Sequence, residues 1–117
     1  MPRFHHANLG VPPGIAEAEG DFLVDILGYR RMELSPESET FGARWYEADD
    51  GTQIHLSVDP EHRPGALAHT AIEVGDDAAQ IEARLEAASM DFRVAMLDGV
   101  RILICHDPAG NRWELRS

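Results

Sequence analysis

The feature that most constrains this chain is an internal repeat. Laid without gaps, FHHANLGV (4–11) matches LAHTAIEV (67–74), placing His6 on His69, Leu9 on Ile72 and Val11 on Val74. In the same way DGTQIHL (50–56) matches AGNRWEL (109–115), placing Gly51 on Gly110, Ile54 on Trp113, Leu56 on Leu115 and His55 on Glu114. A chain that matches itself at both ends of each half is built from two copies of one supersecondary unit.

Each copy reads as a strand, a helix and three more strands. Residues 3–11 form the first strand, and Pro12-Pro13-Gly14 breaks it. In IAEAEGDFLVDILG, residues Ile15, Phe22, Leu23 and Ile26 fall near one helical stripe, with Gly28 placed to end the helix. Strands follow over 29–34, 41–48 and 52–58, the last two joined by a tight hairpin at Asp49-Asp50-Gly51. A connector over 59–66 carries two prolines and a glycine. The second copy then runs from a strand over 67–74 into a helix over 76–89, with Asp76 or Asp77 as cap and Ile81, Leu85 and Ala88 on its stripe. DFRVAML, VRILICH and NRWELRS supply three closing strands. The expectation is an α+β fold of two βαβββ modules, about 1–58 and 67–117, in one domain spanning 1–117. At 44% hydrophobic content the chain has enough apolar material for a core.

Placed about a pseudo-twofold axis, the two copies would bring their first and fourth strands around a shared cavity. Successive strand residues point to opposite faces, so Ala7, Leu9 and Val11 form the core side of the first strand and His6 stands on the other. His6, His55, His69 and Glu114 all occupy repeat-equivalent positions on faces turned away from the helix. Any one of them alone reads as an exposed or hydrogen-bonded side chain. Together, three imidazoles and a carboxylate suit a divalent transition metal such as zinc, nickel, iron(II), manganese or cobalt, with open positions for water or substrate. Such an ion polarises a carbonyl or stabilises an enediolate-like anion.

The remaining chemistry-bearing residues read as ordinary. His62, between Glu61 and Arg63, is expected at the surface, and His5 on the wrong face or just outside the cavity. His106, beside Asp107-Pro108, is expected outside the cavity or as an outer partner of the site. Cys105 reads as a small buried residue, since no base stands beside it in sequence. Trp45, Tyr46 and Trp113 belong to strands and suit either a core or a pocket wall.

Charge narrows the partners. The chain carries 21 acidic residues against 10 basic ones, all arginine, for a net charge of -11. Nucleic acid is therefore excluded as an expected partner. The acids are scattered rather than blocked, as on a solvated surface. No stretch approaches the roughly 20 apolar residues of a membrane span, and no secretory signal pattern opens the sequence. A lone cysteine agrees with a reducing compartment, so the expected location is cytoplasmic.

The sequence also resembles the vicinal oxygen chelate superfamily, the group of glyoxalases, bleomycin-resistance proteins and extradiol dioxygenases. The motifs are FHHANLGV with FLVDILGYR, then QIHL, AHTAIEV and HDPAGNRWEL, the last similar to the closing Asp-Pro-x-Gly-Asn-x-x-Glu-Leu signature of that group. The likeness covers nearly the whole chain. It implies paired βαβββ modules forming a curved mixed sheet around a metal in a central cavity, usually in a homodimer. It puts the ligand positions on His6, His55, His69 and Glu114, with Glu114 also a possible base. Where this chain has His55, bacterial glyoxalase I proteins carry a carboxylate or glutamine. If His55 stays off the ion, His6, His69 and Glu114 form the two-histidine, one-carboxylate set that suits fosfomycin-type thiol transferases and iron(II) dioxygenases. For a substrate phosphonate no lysine is present, although Arg93, Arg101 or Arg112 can take its place. The expected activity is a metal-dependent lyase or isomerase of the glyoxalase type, moving a proton next to the carbonyl of a small chelating substrate. The alternative is a non-catalytic, antibiotic-binding dimer whose acidic cleft holds a cationic drug.

Overall fold

A computed structural model describes all 117 residues. Its contacts divide the chain into two units, Met1–His62 and Arg63–Ser117, parting within the expected connector.

The first unit runs β1 (His6–Val11), α1 (Ala16–Asp21), β2 (Arg30–Arg31), α2 (Pro36–Thr40), β3 (Arg44–Glu47) and β4 (Gln53–Val58). Its sheet has the order β1-β4-β3-β2, with β1 parallel to β4 and the other pairs antiparallel. The second unit runs β5 (His69–Glu73), α3 (Ala78–Ala87), β6 (Phe92–Leu97), β7 (Val100–His106) and β8 (Arg112–Arg116). Its sheet has the order β5-β8-β7-β6, again with only the first and fourth strands parallel. The α+β architecture of two βαβββ modules, each with a mixed four-stranded sheet, is therefore as the repeat implies.

Alternation builds each core. In the first unit Ile54 and Leu56 of β4, Tyr46 of β3 and Val11 of β1 are buried with Phe22, Leu23 and Ile26 of the helical segment. In the second, Trp113 and Leu115 of β8 are buried, as are Ile81 and Leu85 of α3. β7 is buried on both faces from Ile102 to Cys105, which explains its unbroken apolar run.

Several local expectations are corrected. The first helix is α-helical only to Asp21 and continues as a π-helical turn, Phe22–Ile26, in which the Leu27 N–H reaches the Phe22 carbonyl at 3.2 Å. Gly28 does end it, at φ 87°. The strand expected over 29–34 is a two-residue edge, and that over 41–48 shortens to β3, because Ser35 caps α2 between them. The Ser35 hydroxyl accepts the Ser38 N–H at 3.1 Å, and Pro36 fills the first turn. A single 3-10 turn, Gly75–Asp77, leads into α3, and Asp77 stands at its N-cap as expected but makes no side-chain hydrogen bond to it. Ala88 lies beyond α3 and is exposed, leaving Ile81 and Leu85 to carry the stripe. No helix is long and apolar enough to cross a membrane.

Candidate metal-binding residues

Strand register reproduces the repeat. In the first unit His6 pairs with Gln53 and Asn8 with His55. In the second His69 pairs with Arg112 and Ala71 with Glu114. His6 with His55, and His69 with Glu114, are thus the same diagonal on the same kind of parallel pair.

In the first unit His55 is held on both ring faces. The Trp45 ring stacks on it at 4.3 Å and 7°, and the His6 ring at 3.9 Å and 12°. Its Nε2 lies 2.8 Å from Gln53 Oε1, and the residue is 9% exposed. Burial, with smaller contributions from the His6 and His5 charges, lowers the His55 pKa, so it is a neutral imidazole that retains a lone pair. His5 precedes β1, so strand alternation does not govern it. Its Nδ1 comes within 2.8 Å of His6 Nδ1, so it borders the candidate ligand His6.

In the second unit His69 Nδ1–H donates to the Leu67 carbonyl at 2.9 Å. In a neutral imidazole that contact puts the proton on Nδ1 and the lone pair on Nε2, the usual way a ligand histidine is oriented. Nε2 lies 3.4 Å from Glu114 Oε2. Arg112 Nη2 donates to the same Oε2 at 2.9 Å, leaving Oε1 without a protein partner.

The donor types fit a borderline divalent ion, and the two pairs fit it differently. Nitrogen and oxygen ligands each about 2.0–2.2 Å from one ion at a tetrahedral angle stand about 3.4 Å apart, the spacing of the His69 and Glu114 atoms. The His6 and His55 planes are nearly parallel, so their in-plane lone pairs do not meet at one point nearby. His6 is exposed and touches His5 and His55, whereas His55 is clamped between Trp45 and Gln53. No three His, Cys, Asp or Glu side chains gather into a metal-holding cluster within either unit.

Residues outside the four sort clearly. Burial, with the nearby Asp107 charge, pushes the Cys105 thiol up to about 12, so it is a core residue and no nucleophile. His62 is half-buried rather than exposed, with its ring over Gly10, where a side chain would collide with it. His106 is exposed. Tyr46 and Trp113 are core, and Trp45 borders a groove shared with Arg31, Met32 and Arg44. The sequence reading missed Gln53, and it named Arg112 only for a substrate phosphonate, not as a partner of Glu114. Their signal was present, because the second alignment superimposes them two positions before His55 and Glu114.

Comparison with known proteins agrees with this architecture. No protein-family model and no curated protein matches the sequence. Among solved structures, a glyoxalase family protein from Bacillus anthracis is similar at TM-score 0.85 and 21% identity, covering 99% of this chain and 94% of its own. Lactoylglutathione lyase from Agrobacterium tumefaciens is similar at TM-score 0.72 and 18% identity, over 99% and 93% of the two chains. The fosfomycin-resistance protein FosX from Listeria monocytogenes, as an E126Q mutant complexed with Mn(II) and 1S,2S-dihydroxypropylphosphonic acid, gives TM-score 0.76 and 17% identity over 98% and 91%. With its two βαβββ modules, this chain shares the fold of these glyoxalase, lactoylglutathione lyase and fosfomycin-resistance structures.

Proposed function

We propose that the chain is a small metal-dependent enzyme of the glyoxalase type, with His6, His55, His69 and Glu114 holding one divalent transition ion. The observation that carries this reading is the matched register of the two pairs, with His69 Nε2 standing 3.4 Å from the Glu114 carboxylate. When bound, the ion would supply Lewis-acid polarisation of a substrate carbonyl. The chain's own part is to orient and to move a proton. Leu67 fixes the His69 tautomer, Trp45 and Gln53 fix the His55 ring, and Arg112 holds Oε2 of Glu114. Oε1 of Glu114 is the atom available to take a proton from carbon next to a carbonyl.

The clamping of His55 favours a second reading in which it supports the site from outside. His6, His69 and Glu114 then form the two-histidine, one-carboxylate set suited to a thiol transferase or dioxygenase.

Metal analysis of untagged protein after dialysis against Mn(II), Co(II), Ni(II) or Zn(II) tests the proposal. A stoichiometric ion lost in both His69→Ala and Glu114→Ala supports it. Retention in His55→Ala selects the three-ligand form. Protein that takes up none of these ions, yet binds cationic drugs tightly, is a sequestering protein instead.

A further inference from the structure

We infer that His5 is a positioning residue for His6: its Nδ1 accepts the Nδ1–H of His6 and so keeps the lone pair of His6 on Nε2. This rests on the metal site proposed above and adds the group that orients one of its ligands.

The two Nδ1 atoms stand 2.8 Å apart, within hydrogen-bond distance. Two lone pairs or two N–H groups facing each other that closely repel, so one nitrogen carries the proton and the other accepts the hydrogen bond. Either direction satisfies the distance, and the repeat decides between them. His69, aligned with His6, has its Nδ1 2.9 Å from the Leu67 carbonyl, a group that only accepts. The residue before His69 is Ala68, which has no polar side-chain atom, whereas the residue before His6 is His5. Each copy therefore supplies one acceptor to the Nδ1 of its first-strand histidine, a backbone carbonyl in the second unit and an imidazole in the first.

The placement of His5 suits that task. It precedes β1, and its carbonyl accepts the Gln53 N–H at 3.0 Å, which ties its backbone to the start of β4. Its ring meets the His6 ring edge-on, at 81° and 5.1 Å between centroids. The other ring contact of His6, the stack on His55 at 3.9 Å, uses the ring faces and fixes no proton. His6 is exposed, so an unrestrained imidazole there would give up rotation and tautomer choice on binding an ion. A contact that already holds both lowers that cost, as outer partners of ligand histidines do.

Nitrogen NMR of the histidine side chains reads the tautomer directly in metal-free protein above about pH 8, where imidazoles are neutral. It is run on the parent, His5→Ala, His5→Asn and His6→Gln, the last to assign the His6 signals. In the parent the His6 proton should sit on Nδ1. His5→Ala should lose that preference, and His5→Asn, whose amide oxygen stands where the imidazole Nδ1 does, should keep it. Calorimetric titration with Co(II) should show binding to the parent and about tenfold weaker binding to His5→Ala, the lower end for removing such a partner, with His5→Asn between them. A His6 proton on Nε2 in the parent, an unchanged tautomer in His5→Ala, or Co(II) bound equally tightly by the two overturns the inference. A parent that takes up no Co(II) yet shows the His5-dependent tautomer upholds the positioning contact while removing the proposed metal centre.

Discussion

Asp107, in the turn between β7 and β8, accepts the indole N–H of Trp113 of β8 at 2.9 Å, and both residues are buried. The other carboxylate oxygen of Asp107 accepts the backbone N–H of Ala109 at 3.1 Å and of Asn111 at 2.8 Å. Gly110, at φ 84°, completes the turn. The HDPAGNRWEL motif is thus a folding device that fixes how β8 enters the sheet, and with it where Arg112 and Glu114 stand. Asp107→Ala leaves three donors without that acceptor and should lower stability by about 2–4 kcal/mol. Asp107→Asn keeps one acceptor but faces the indole N–H with its own amide, and should lose less. Urea denaturation of the three proteins checks the order, and a loss below about 0.5 kcal/mol for Asp107→Ala would contradict the role assigned.

That turn also shows what was legible in advance. Side-chain alternation and the repeat located His6, His55, His69 and Glu114 in equivalent registers, because both depend on local periodicity. The helix α2 was hidden although Ser35-Pro36 is an N-terminal signature, since five residues between two strands leave little periodicity to read. The π-helical turn at Phe22–Ile26 was hidden for a different reason, as it buries the same stripe an α-helix would. Partners such as Gln53 and Arg112 were visible as aligned residues, but only distances of 2.8 and 2.9 Å to the side chains two positions on give them a role.

The hairpin before β4 provides a pH test. Asp50 accepts the Thr52 hydroxyl at 2.6 Å and the Thr52 N–H at 3.0 Å. These bonds, the hydroxyl first, hold the Asp50 pKa below its ordinary 3.8. A carboxyl whose folded-state pKa is depressed stabilises the fold above the unfolded value, and the contribution disappears as pH falls through the folded one. The stability difference between the parent and Asp50→Ala should therefore be constant near neutral pH and shrink as pH drops below about 4. Thermal melts across that range measure it. A gap that widens on acidification would mean the carboxylate is not the bonded form.

Gly20 of α1 and Tyr46 of β3 meet in a close helix–sheet approach in the first unit. A side chain at Gly20 would run into the Tyr46 hydroxyl, which is buried and has no hydrogen-bond partner. Replacing glycine by alanine inside a helix ordinarily stabilises it by about 0.5–1 kcal/mol. Here Gly20→Ala should instead destabilise by about 1–3 kcal/mol, because the tyrosine ring must shift within a packed core. Tyr46→Phe removes an unsatisfied hydroxyl and should be neutral or stabilising by about 1 kcal/mol. It also removes the atom with which the new methyl collides, so the double variant should be more stable than the two single changes sum to. A double-mutant cycle by urea denaturation isolates that coupling. Simple additivity would show that the helix, rather than the phenol, accommodates the extra carbon.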